Sequence, residues 1–366
     1  MMQNNFELLP TDYRNFYGTT KAELGYGSEA VDSRFIENVA PNGQLLGIYE
    51  TKPKTEGESQ PDRTIIMPAS HDYRIEPNWM TRADIVASSA NARVILVDMP
   101  GTTGLLHQKD IDEWEVYQSA NRLDGAAQTP HQIQSALKGD FTPHAEIQLG
   151  SIIETVGLSE DEEIILLGES MGAAVVTDML AVAHQQGLSI SEVIYYELVN
   201  PFKGYRPAVP LRLMKVLPAV ENNRRTEYIS ENSAIGHRST AFEMDKTNPW
   251  QATLDKARKT LGQQAIAAGV NGLGMAMGIQ SRLLTNLKHI PKSEQPTFTM
   301  VRGNESLATS DKEYEVLHEA LKEVGMDVKM YSVTDANGEY KRPMGHSHTF
   351  SLGRQKEVAD TLFSNK

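Results

Sequence analysis

Continuous apolar runs, rather than alternating ones, mark the strands in this chain. Residues 64–67, 93–97, 164–167, 192–199 (EVIYYELV), 296–303 (PTFTMVRG) and 327–333 are short, rich in β-branched and aromatic residues, and bounded by polar or turn residues. Such runs predict strands buried on both faces between layers of helices. Between them lie helical segments at about residues 79–90 and 142–156, one after residue 171 that Gly187 ends, and others at 311–324 and 354–363. Strand and helix in alternation imply right-handed crossovers and a parallel sheet. Ahead of this part, residues 35–52 carry two strand-like pieces around Pro41-Asn42-Gly43. Asn-Gly between apolar runs predicts an antiparallel hairpin.

Four segments make up the organisation. Residues 1–34 are polar with scattered aromatics and glycines, and are expected to form an arm packed on the body. Residues 35–204 would form the first part of an α/β core and 291–366 the second. Between them, residues 205–290 are helical in texture and contain no convincing strand. An insertion of that size at the carboxyl end of a sheet predicts a helical cap or lid over a site.

The strongest local signal is residues 163–177, EIILLGESMGAAVVT. An apolar strand runs into Gly168-Glu169-Ser170-Met171-Gly172, and a small-residue helix begins with Ala173 and Ala174. Glycines two residues either side of a serine let strand and helix approach closely enough to hold that serine in a strained turn. The hydroxyl of Ser170 would then stand above the sheet, with the first N–H groups of the helix aimed at whatever it attacks.

Composition narrows the chemistry around this turn. With 35 basic against 48 acidic residues, the formal charge of −13 repels phosphate backbones and anionic membrane surfaces, so no nucleic-acid partner is expected. No cysteine is present, which removes disulfides, thiolate metal sites and a cysteine nucleophile together. Neither a basic head with an apolar block nor a run of about 18 apolar residues is visible, so a cytoplasmic protein without a membrane span is expected. The 366 residues suffice for a large core.

This arrangement resembles the α/β-hydrolase superfamily over about residues 35–204 and 291–366. The resemblance rests on Gly168 to Gly172 after a buried strand, on Asp98-x-Pro100-Gly101-x-x-Gly104 after the preceding strand, and on Gly345-His346 near the C-terminus. It implies a mostly parallel central sheet flanked by helices, and a serine, acid and histidine in that chain order. A serine hydroxyl is a poor nucleophile until an imidazole takes its proton, and the imidazole needs a carboxylate to fix its tautomer. Ser170 is the expected nucleophile. His346, after its glycine, and His348, at the usual distance from the closing helix, are the candidate bases.

For the acid the candidates are Glu305, one residue short of the family's usual position, and Asp311, which also suits a helix N-terminus. The oxyanion hole would take the N–H of Met171 and one from the loop after residues 64–67, at Ser70 or His71. His71 with Asp72 would alternatively shape that loop, and Asp98 is expected to stabilise the turn after its strand.

The expected activity is therefore cleavage of a carboxylic ester or related acyl compound of small size, with no cofactor and no metal. A catalytically silent scaffold binding a small molecule or protein partner is the alternative, as is an acyltransferase on the same fold. His346-x-His348 lacks the further ligands of a metal site. Residues 269–278, GVNGLGMAMG, have Met277 where a dinucleotide fingerprint needs a small residue and no strand before them. Met275 and Met277 are expected to pack the insertion.

Overall fold

The computed structural model describes residues 6–8, 31–40, 42–54, 61–69, 77–101, 128–159, 161–206, 208–209, 263–303, 309–333, 359 and 362–363. Its strands are β1 (Phe6–Leu8), β2 (Val31–Val39), β3 (Leu45–Pro53), β4 (Arg63–Pro68), β5 (Arg93–Val97), β6 (Glu163–Glu169), β7 (Ile190–Tyr196), β8 (Thr297–Gly303) and β9 (Val328–Val333). They form one sheet in the order β1-β2-β3-β5-β4-β6-β7-β8-β9. The first three are antiparallel, β3 joins β5 antiparallel, and every pair from β5 to β9 is parallel.

The helices described are α1 (Pro77–Ala90), α2 (Pro130–Ala136), α3 (Thr142–Thr155), α4 (Gly172–Gln185), α5 (Gln263–Met275), α6 (Gln280–Lys288) and α7 (Asp311–Glu323). The apolar strands feed two cores because successive side chains point to opposite faces. Ile164 and Leu166 face a core shared with Leu149 and Ile152 of α3, Val175 and Met179 of α4, Leu283 of α6 and Leu317 of α7. Ile165 and Leu167 face the other, with Trp79 and Ala83 of α1 and with Leu362 and Phe363 near the C-terminus. Both faces are covered, which is why the runs are continuous rather than alternating.

The hairpin forms as the Asn-Gly signal predicts, with Ala40 N–H donating to the Gln44 carbonyl at 2.7 Å and Gly43 at φ +83°. Its first strand begins at Val31, inside the segment expected to be an arm, and Phe6–Leu8 of that segment pairs with β2. Helix α2 was not expected. Its local signal is Thr129-Pro130 with Gln132, which closes a reciprocal capping box at the first turn.

From β4 the chain passes through α1 to β5 on one side, then returns to β6 on the other side of β4. α1 packs on one face of the sheet and α3 on the opposite face. The carboxyl ends of β4 and β6 therefore flank the point where the winding reverses, the crevice that open α/β sheets use for ligands. Among the described residues no helix is long and apolar enough to cross a membrane.

Candidate active site

Ser170 follows the last residue of β6 with φ +51°, a left-handed backbone that a side chain raises in energy. Two glycines permit it. A Cβ on Gly168 would stand 2.4 Å from Val176 Cγ2 and 2.6 Å from Ala173 Cα, and a Cβ on Gly172 would stand 2.9 Å from the Pro68 carbonyl oxygen. The first glycine lets α4 fold back against its own strand; the second lets α4 touch the end of β4. Ser170 donates its N–H to the Tyr196 carbonyl at 2.9 Å and accepts from Ala173 at 3.2 Å.

Met171 precedes α4 with helical angles and no side-chain cap, and its own side chain is buried. Among the described residues no acceptor takes its N–H. The start of α4 thus presents a backbone donor beside the serine, with the partial positive charge of a helix N-terminus behind it.

At the adjoining strand end, Ala69 is buried and donates its N–H to the Val97 carbonyl at 2.7 Å. Because Pro68 lies against Gly172, the chain leaving β4 passes the first turn of α4. Ser70 and His71, expected in that loop, lie outside the described residues, as do Glu305, His346 and His348. Asp98 accepts the Gly47 N–H at 3.0 Å and gives its own N–H to the Gly47 carbonyl at 2.9 Å. It secures the end of β5 to β3, as expected of a turn-stabilising residue.

Glu169, the acid directly before the serine, is buried and bound to Arg82 of α1 at 2.8 Å, both side chains being under 5 % exposed. The Arg82 guanidinium stacks over the Trp79 ring at 4.8 Å. This pair ties α1 to the elbow from the face opposite α4.

Asp311 is the first residue of α7, follows the capping Ser310, and has a side chain 69 % exposed and ion-paired with buried Arg302. Sequence reasoning did not single out Glu197. It follows β7 with φ +52°, is 1 % exposed, and donates its N–H to the Val301 carbonyl at 2.9 Å. This reversal ends β7 at Tyr196, three residues before the expected end of the strand at Val199. The hydroxyl of buried Tyr314 accepts the Leu198 N–H at 2.6 Å and donates to the Val301 carbonyl at 3.2 Å. Burial and then the Glu197 charge push that phenol well above its usual range.

The described part of the insertion is bound firmly to the core. Arg282 of α6 reaches Asp140 at 2.8 Å, and it also binds Asp178 on the elbow helix. Asp178 further accepts the Phe141 N–H at 2.7 Å. Burial raises the Asp178 carboxyl to about 6, against the pull of the Arg282 cation. Asp140 is also raised by burial, but hydrogen bonds from Thr142 and the Arg282 charge hold it below the ordinary carboxylate range. In α5, Gly274 allows the Ala136 carbonyl of α2 to approach, since a Cβ there would stand 2.3 Å from it. Met275 joins a core and Met277 packs on Gly139, so residues 269–278 are helix packing.

Comparison of the sequence with family models and with curated proteins found no match. Solved structures do resemble it. A protein designated lipase (lip1) from Acinetobacter baumannii AYE superposes with a TM-score of 0.54 at 13% identity, over 96% of this chain and 95% of that one. Esterase Pf2001 from Pyrococcus furiosus gives 0.49 at 12% identity over 94% and 91% of the two chains. Bromoperoxidase from Bacillus anthracis gives 0.48 at 14% identity over 91% and 100%. Parallel sheet, flanking helices and the resemblance to lip1 agree: this chain has the α/β-hydrolase fold.

Proposed function

We propose that the chain is a serine hydrolase that cleaves a carboxylic ester or related acyl compound through an acyl-enzyme on Ser170. The observation that supports this most is the backbone of Ser170 at φ +51°, held by glycine contacts at the crevice where the sheet reverses its winding. Positive φ on a serine is strain of the kind stored at functional sites, and the Met171 N–H follows directly in the chain.

In this reading the Ser170 Oγ attacks the substrate carbonyl carbon while His346 or His348 takes the hydroxyl proton. The carbonyl oxygen becomes an oxyanion held by the Met171 N–H and by a second N–H from Ser70 or His71. The imidazolium returns its proton to the leaving alkoxide as the C–O bond breaks. Water then attacks the acyl-serine with the same histidine as base, and the acid departs. A carboxylate holds the histidine in the right tautomer; Glu305 and Asp311 are its candidates in sequence. Within residues 205–290, α6 packs Leu283 into the core, and the remainder would act as the cap that shapes the acyl pocket and sheds water.

A fluorophosphonate probe and a panel of p-nitrophenyl esters, applied to wild type and Ser170→Ala, test the reading. Labelling and turnover that disappear with the hydroxyl are the expected result. A folded wild-type protein that takes no label would favour a silent scaffold.

A further inference from the structure

We propose that Glu197 is the carboxylate that orients the base histidine, a positioning residue for reaction at Ser170. The inference rests on the reading of Ser170 as nucleophile and deepens it.

Among the described residues, only Asn91, Ser170 and Glu197 combine a side chain with positive φ. Asn91 is exposed just after α1, where asparagine commonly ends a helix in this conformation. Ser170 and Glu197 have no such excuse, since neither residue type favours the left-handed region in a buried setting. Both stand one residue past the ends of adjacent parallel strands. Glu169 pairs with Tyr196, and Tyr196 with Val301, so the next rung aligns Ser170, Glu197 and Arg302.

Hydrogen bonds hold that rung. The peptide between Tyr196 and Glu197 accepts the Ser170 N–H through its carbonyl and donates its N–H to Val301, each at 2.9 Å. Neighbouring strands lie about 4.8 Å apart, which makes Glu197 the nearest residue to Ser170 along the rung on that side. Two strained residues, joined through one peptide at the carboxyl edge of the sheet, are more than a turn requires. A glycine at position 197 would relieve the strain, yet a glutamate is there.

The carboxylate is also buried, and burying one is costly without a compensating charge or donor. The Glu197 charge acts on the phenol of Tyr314, as do Arg302 and Tyr196, and all of these residues are buried. Asp311 is a poorer orienter. Its side chain is 69 % exposed and bound to Arg302, so water competes for it and the helix start accounts for its place. An acid that holds an imidazole works best shielded from solvent and fixed by backbone geometry, as Glu197 is.

The rate of Ser170 labelling by a fluorophosphonate, measured against pH, tests this without knowledge of the substrate. Glu197→Gln should slow labelling roughly 10²- to 10⁴-fold. It should also move the acidic limb of the pH profile down by about one pH unit or more, because the histidine loses its anionic partner. Glu197→Asp should recover part of the rate. Should Glu197→Gln fold poorly, Glu197→Gly removes the carboxylate while relieving the positive φ, and it should be folded and slow.

Labelling that persists in Glu197→Gln or Glu197→Gly at the wild-type rate, or a fall with the acidic limb unmoved, would overturn the assignment. So would loss of labelling with a shifted limb in Glu305→Gln. Absence of label on the wild type would instead refute Ser170 itself, so the two failures are distinct.

Discussion

His144 should make the protein acid-labile in a way that can be isolated. It lies on α3, fully buried, with its ring edge-on to Phe141 at 5.4 Å between centroids. Nε2 stands 2.7 Å from the amide nitrogen of Gln128, which also donates to Oδ1 of Asn271 in α5 at 2.9 Å. A donor from Gln128 assigns the acceptor role to Nε2 and the proton to Nδ1, which has no partner among the described residues. Burial lowers the imidazole from 6.5 to about 3, while the Asp140 charge pulls weakly the other way.

The sign follows from proton counting. Below pH 6.5 the unfolded chain protonates this histidine and the folded chain does not, so stability falls as pH falls until about 3. At 1.36 kcal/mol per pH unit the whole span amounts to about 5 kcal/mol, comparable with the net stability of many domains. Between pH 6 and 4 the loss should be about 2 to 3 kcal/mol.

His144→Phe keeps a ring in place and cannot titrate. It leaves Gln128 short of a partner, at about 1 to 3 kcal/mol that does not vary with pH. Urea unfolding followed by fluorescence of the three tryptophans, at pH 7, 6, 5 and 4, gives the comparison. The variant should start less stable at pH 7 and gain on wild type as pH falls. A difference between the two proteins that stays constant from pH 6 to 4 would refute the buried, neutral histidine.

Two further outcomes are expected. Asp178 runs opposite in sign: its folded value of about 6 exceeds the ordinary 3.8, so its contribution is fully present below 3.8 and is lost as pH rises through 6. Relative to Asp178→Asn, wild type should therefore lose about 3 kcal/mol between those limits in urea titrations, and an unchanged difference would show that Arg282 fully compensates the charge. At the elbow, Ser170→Gly should be more stable than Ser170→Ala by about 1 kcal/mol, read as a higher Tm, because only the glycine accepts φ +51° without cost. Equal Tm values would mean the turn relaxes when the hydroxyl is absent.

The sequence determined those features whose cause is local. Ile164 to Leu167 had to be a doubly buried strand, Asn42-Gly43 had to turn, and Gly168, Ser170 and Gly172 at their spacing had to make a close strand-to-helix junction, because each follows from the shape and solvation of neighbouring residues. The ends of β5 and α3 were legible within a residue for the same reason.

Other features depended on partners distant in sequence. Glu192 to Val199 reads as one strand, but the chain leaves the extended conformation at Glu197, where φ turns positive while the N–H still meets Val301 about a hundred residues later. Asp311 and Glu197 are both plain carboxylates in the sequence, and only packing leaves one exposed at a helix start and buries the other beside the serine's strand. His144 and Asp178 look like ordinary polar residues of amphipathic helices, yet burial moves both their protonation equilibria. Residue type and spacing fix local conformation; burial, register across strands and the charge next door arise only when separate parts of the chain meet.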